Sequence, residues 1–158
     1  DENKKVLACL GLNSGVTYQH SSGVVLDGYD APSFDFALTC PPYHDLEKYS
    51  DLPNDLSNLG SYEDFNQAMF DCAKAHKRVM KPGSFVCIVV GLFRNKKTGE
   101  LRPFPEDTVS KFREAGFFYH QNIILSKNFA SAAVRAANAW AGKKLVPRHE
   151  NLLVFKTP

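Results

Sequence analysis

The chain has 158 residues, 44% of them hydrophobic and 12% aromatic, which is enough for one sizeable core and little beside it. A net charge of +2 conceals an asymmetry, because residues 1–75 hold 12 acids against 4 Lys/Arg while residues 76–158 hold 5 acids against 15. No apolar run is long enough to span a membrane, and the N-terminus lacks the grammar of a signal peptide. Cys9, Cys40, Cys72 and Cys87 show neither metal-ligand nor disulfide-framework spacing. These features exclude a membrane protein and a disulfide scaffold, and predict a single intracellular domain, residues 1–158, with reduced thiols.

In chain order, residues 2–10 read as the end of a helix, and VTYQ at 16–19 as a short strand. The first residue, Asp1, is not methionine, which points to a processed or partial chain. FDFALT at 34–39 is a strand that stops at Pro41 and Pro42. After a loop rich in Asp, Asn, Pro and Ser, Ser61 is the expected N-cap of a helix in which Phe65, Met69, Cys72, His76 and Val79 recur at helical spacing. Glu63 and Asp64 sit in its first turn, and Pro82-Gly83 is expected to end it. SFVCIVVG at 84–91 is apolar without alternation, the pattern of a strand buried on both faces. A basic loop, RNKKTGELRPFP, leads to a helix at about 106–115 closed by Gly116. FFYHQNIILS (117–126) and NLLVFK (151–156) complete the strands. Strands alternating with helices predict an α/β layer fold with a mostly parallel sheet, whose ligand site lies at the carboxyl ends of strands.

The basic half contains residues 127–149, where Lys127, Arg135, Lys143, Lys144 and Arg148 occur without one acid and with Phe129 and Trp140 interleaved. Cations with an aromatic suit phosphate contacts and base stacking, although a solvated surface with a partly buried tryptophan fits the composition equally. His44, His76 and His120 have no second ligand at metal spacing and are expected to be packed or solvated.

The turn TCPPY sits at one of the strand ends. Pro41 and Pro42 fix the backbone, so their carbonyls and the following side chain point in a preset direction, and Tyr43 adds a flat face beside those acceptors. A proline pair also serves simply as a strand terminator.

FDFALTCPPY resembles the catalytic motif of the amino-methyltransferases, which transfer a methyl group from S-adenosyl-L-methionine to the exocyclic amine of adenine (N6) or cytosine (N4). LEKYSDLPNDLSNL with SYEDF resembles the segment after that motif in a phage and bacterial, ParB-associated branch of DNA methylases. VMKPGSFVCIVVG and RHENLLVF are similar to later strands of these enzymes, so that residues 16–157 match in order. The resemblance implies a Rossmann-like methyltransferase fold with an antiparallel last strand, a DNA substrate, a role in DNA methylation and restriction-modification, and the cytoplasm of a bacterial or phage-infected cell. It further implies that Cys40 and the Pro41 carbonyl hold the target amine, with Pro42 fixing the turn, and that Tyr43 stacks on a base flipped out of the duplex. Lys127, Arg135, Trp140, Lys143, Lys144 and Arg148 are the expected nucleic-acid contacts.

Three departures accompany it. Position 40 is cysteine, a weak acceptor, where the family has a carboxylate, amide or hydroxyl. The acid that the family carries at the end of the preceding strand is replaced by His20, Ser21 and Ser22. The glycine-rich cofactor motif is missing. VLACLGLNSG imitates it, but only 28 residues separate Gly11 from Thr39, whereas the fold needs two strand-helix units there at roughly 30 residues each. In the family's sheet order, three-two-one-four-five-seven-six, the five predicted strands fit three to seven, so the first cofactor-binding strands are lacking and residues 34–39 are left with an apolar edge. An upstream segment, a second chain, or direct pairing of 16–19 with 34–39 would repair it. DENKKVLACL resembles the helix after strand two, which favours an upstream segment. Two other readings stand beside the enzyme: a non-catalytic nucleic-acid-binding module on the same fold, and a methyltransferase acting on RNA or protein glutamine.

Overall fold

The structure, a computed structural model, describes residues 17, 19, 21–29, 32–127, 134–136 and 139–158. The helix expected at 2–10, Cys9, His20 and Phe129 lie outside them. Of the strand expected at 16–19, Thr17 and Gln19 are described and neither is in a strand, so no pairing with residues 34–39 exists among the described residues.

Strands β1 (Phe34–Thr39), β2 (Met80–Val90), β3 (Phe118–Ser126) and β4 (His149–Lys156) form one sheet in the order β1-β2-β4-β3. β1 and β2 are parallel, and β4 runs antiparallel to both β2 and β3, so three strands share a direction and the last is reversed. This is the order and polarity expected from the sequence. Helices α1 (Tyr62–Val79) and α2 (Phe104–Glu114) cover one face. Against them pack Val86, Ile88 and Val90 of β2 with Leu153 and Phe155 of β4, around Phe65, Met69, Phe104 and Phe112. Phe112 stacks on Phe155 with ring centroids 4.5 Å apart. Each such ring contributes about 1.5–3 kcal/mol on leaving water.

Local chemistry sets the helix ends. Ser61 Oγ accepts from the Asp64 backbone N–H at 3.0 Å, and Glu63 and Asp64 occupy the positive end of α1. At the end of α2, Gly116 takes φ +91°; its N–H donates to Arg113 O (2.9 Å) and that of Phe117 to Phe112 O (3.1 Å), with the two phenyl rings in contact. This helix starts two residues before the expected position, at Phe104.

The expected stop of α1 at Pro82-Gly83 is corrected. The helix ends at Val79 and β2 begins at Met80. Met80 pairs with Phe34 and Phe85 with Phe36, so residues 81–84 form an irregularity in the ladder that absorbs the proline, while Gly83 supplies φ +75°. Thr157 closes it: its Oγ1 donates to Lys81 O (2.7 Å) and accepts from Ser84 N–H (2.9 Å).

Candidate active site at the carboxyl end of β1

Residues 40–43 leave β1 at its carboxyl end, beside the end of β2 and the start of β4. Cys40 is exposed and its thiol is free. Tyr43 does not project into solvent. Its half-buried ring stacks on Phe93 (6.1 Å, 26°) and meets Phe104 edge-on at 5.4 Å, while its hydroxyl lies 4.0 Å from Cys40 Sγ. Burial raises the Tyr43 pKa first, and Cys40 and Glu150 act in the same direction against the Gly91 backbone, so the phenol stays neutral.

Gly91 makes that placement sterically possible. A Cβ there would lie 3.0 Å from Tyr43 Cε2, 3.1 Å from its hydroxyl and 3.3 Å from Glu150 Cγ. The turn is anchored from below by His44, which is 5% exposed and adopts φ +49°. Its Nε2–H donates to Leu59 O at 3.1 Å, its Nδ1 faces Asp45 Oδ1 at 3.3 Å, and its ring packs on Phe65 and Tyr62. The histidine is packed, as expected, and it fastens the turn to α1.

Two cavities meet at the turn, and Cys40, Pro41 and Tyr49 line both. One, of about 410 Å³, reaches Met69, Cys72, His76, Ile88 and Phe112 on the α1 side. The other, of about 350 Å³, is walled by Tyr43, Gly91, Lys127, Arg135 and Glu150 and lies within the size range of small-molecule sites. Tyr49 is 64% exposed, and its hydroxyl donates to Glu47 Oε2 at 3.0 Å, a bond that raises its pKa. Asp55 accepts from Ser50 Oγ, Ser57 Oγ and Ser57 N–H at 2.7–2.8 Å, which lowers its pKa and staples residues 49–57 into a fixed loop. Sequence reasoning gave Tyr49 no individual role and overlooked Asp55. A glycine directly after a continuous apolar strand was the available signal for Gly91.

Of the cationic candidates, Lys127 and Arg135 border the second cavity, with Lys127 Nζ 2.7 Å from Glu150 Oε1. Arg135, Lys143, Lys144 and Arg148 line an adjoining groove. Trp140 is 78% exposed and lines neither cavity nor groove. The described residues contain no cluster of metal ligands and no helix long and apolar enough to cross a membrane.

Comparison with known proteins decides the family. The sequence pattern of the N6/N4 DNA methylases matches residues 34–158. The chain belongs to that family. It is 33% identical over 127 residues to the type II beta methyltransferase M.BslI of Bacillus sp. (strain NEB-606), a match covering 73% of this chain and 13% of that protein. Among solved structures, TTHA0409 of Thermus thermophilus, described as a DNA modification methylase and complexed with S-adenosyl-L-methionine, superposes with a TM-score of 0.61 at 24% identity. That match covers 87% of this chain and 53% of that one. The cytosine-N4-specific PvuII DNA methyltransferase gives a TM-score of 0.66 at 15% identity over 88% of this chain and 48% of that one. The fold is thus the Rossmann-like methyltransferase fold, and the chain spans about half the length of these structures.

The family depends on S-adenosylmethionine, whose ammonium, carboxylate and ribose hydroxyls each require a polar partner. In the α1-side cavity the one carboxylate is Asp55, already engaged by Ser50 and Ser57, and the remaining lining is largely apolar. The described residues therefore do not fit the whole cofactor. What they do fit is the acceptor side of an amine: a carbonyl and a thiol on a rigid turn.

Proposed function

We propose that this chain carries the amine-holding portion of a site-specific DNA methyltransferase, which acts on the exocyclic amine of a flipped cytosine (N4) or adenine (N6). An aromatic amine is a poor nucleophile because its lone pair is delocalised into the ring. Acceptors that hold its N–H groups favour a pyramidal nitrogen with the lone pair free, and positioning and electrostatics supply the rate. In this reading the Pro41 carbonyl and Cys40 Sγ accept from the amine, Pro42 fixes their direction, and Tyr43 offers its remaining face to the base. Lys127 and Arg135 flank the entrance, with Lys143, Lys144 and Arg148 further along the phosphate path and Trp140 at its margin.

The observation that carries the reading is the cavity in which the turn, Tyr43 and the two cations meet, on a chain of the N6/N4 family. Cys40 is nearer serine than aspartate in shape, which favours cytosine. The kinship with M.BslI suits a restriction-modification setting. The test is methyl transfer from tritiated S-adenosylmethionine to DNA by the whole natural protein, with the modified nucleoside identified by mass spectrometry. Tyr43→Ala is expected to abolish transfer; an unchanged rate in that variant, or methylation of RNA or protein in place of DNA, overturns the proposal.

The weak thiol acceptor at position 40 and the incomplete cofactor cradle favour one alternative, a nucleic-acid-binding module without catalysis. It predicts DNA binding with no transfer, and no gain on Cys40→Asp or Cys40→Ser.

A further inference from the structure

The basic loop between β2 and α2 has no part in the site described so far. Residues 93–102 nevertheless form an ordered hairpin-like excursion. Arg94 and Leu101 make an antiparallel bridge, Asn95 N–H donates to Glu100 O, Gly99 N–H to Asn95 O and Arg102 N–H to Phe93 O, each at 2.9 Å. The hairpin is rooted by Phe93, 4% exposed, whose ring stacks on Tyr43. It is latched by Lys96, whose Nζ donates to the backbone carbonyls of Asp45 and Leu46, two and three residues beyond Tyr43.

Between this hairpin and residues 143–149 runs a groove of about 1080 Å³. Arg94 and Lys96 line one side, and Arg135, Lys143, Lys144 and Arg148 the other; no aspartate or glutamate lines it. The second wall is itself held: Lys144 N–H donates to Ala139 O at 2.8 Å and Lys143 N–H to Trp140 O at 2.9 Å. Leu46, Leu92, Arg135, Pro147 and His149 line both this groove and the cavity at the proline turn, so the two are continuous. A concave track with cations on both walls, an apolar floor and no acids matches a sugar-phosphate backbone. An acidic peptide or a membrane surface gives no reason for the track to run into a cavity that takes a planar ring.

We propose that residues 93–102 form the second wall of the DNA groove, with Arg94 and Lys96 contacting phosphates beside the target nucleotide. Because Lys96 also holds the Asp45 and Leu46 carbonyls, backbone binding and the placement of the turn share one side chain. The inference rests on the nucleic-acid reading above.

The test uses the whole natural protein and a fluorescein-labelled duplex, with affinity measured by anisotropy across a salt series and methyl transfer measured in the same preparations. Arg94→Ala with Lys96→Ala is expected to weaken binding and flatten the plot of log affinity against log salt by roughly 0.9 per lost phosphate contact. The charge-keeping pair Arg94→Lys with Lys96→Arg should restore the slope, and Lys74→Ala, on the exposed side of α1, should leave it unchanged. A wild-type slope in the double alanine variant, loss that the charge-keeping pair does not restore, or absence of DNA binding by the wild-type protein each overturns the inference. If the wild type methylates DNA while the slope is unmoved, the inference fails and the function stands. If the slope falls as expected with no transfer by any form, the function fails and the groove stands.

Discussion

On one face of the sheet Val86, Ile88, Val90, Leu153 and Phe155 are at most 1% exposed beneath α1 and α2, while on the other Phe36, Leu38 and Phe118 remain 57%, 62% and 61% exposed. The register explains the division. Ala37 and Thr39 pair with Val86 and Ile88 on the helix side, and Phe36 and Leu38 with Phe85 and Cys87 on the other. β1 is therefore apolar on both faces, the pattern of a strand covered twice, yet the described residues provide one cover. Stability resides on the helix side, and the turn at the end of β1 inherits its rigidity from there, through Phe93, Phe104 and His44.

The widest contrast is between Phe155→Ala and Leu38→Ala in the 158-residue chain. The first should cost about 3–5 kcal/mol and the second within about 0.5 kcal/mol in denaturant unfolding. Equal costs would mean that the second face is not bare. A smaller effect is expected of Gly91→Ala, which forces a Cβ against Tyr43. It should lose about 1–3 kcal/mol, alter tyrosine fluorescence, and lower methyl transfer by the whole protein more than its DNA affinity. Ser61→Ala removes the cap of the covering helix and should cost about 1 kcal/mol.

The smallest effect is one of pH. Burial holds the His76 pKa below its ordinary 6.5, because the ring lies within the cover against Phe112. The unfolded chain then binds the proton more readily than the folded one. This contribution is complete above about pH 6.5 and is lost as pH falls through the folded value. Urea midpoints should drop on acidification, and less steeply in His76→Gln. Cys72 behaves oppositely. Burial pushes its thiol up to about 12, so stability declines above about pH 9, and at neutral pH a thiol reagent should label exposed Cys40 well before it.

Much of this arrangement was legible in the sequence because it is local. Continuous apolar runs marked β2 and β4, helical spacing from Phe65 to Val79 marked α1, and Ser61 and Gly116 marked helix ends. The strand at Met80 was not legible, since Pro82-Gly83 normally breaks a pattern and here is taken up by a ladder irregularity closed by Thr157, 73 residues from Ser84. Within the site, residues 40–43 could be read from the strand and the proline pair. The partners that enclose Tyr43, at Gly91, Phe93 and Phe104, are distant in sequence and carry no motif. Trp140 drew notice by its composition, but it lines neither cavity nor groove.

β4 follows β3 in sequence, yet it lies between β3 and β2. During synthesis, therefore, β2 and β3 must each leave the ribosome with one edge unpaired, holding a slot that only the later strand can fill. The sheet cannot zip from its beginning, and the cavity walled by Gly91, Lys127 and Glu150 comes into being in the same step that seats β4.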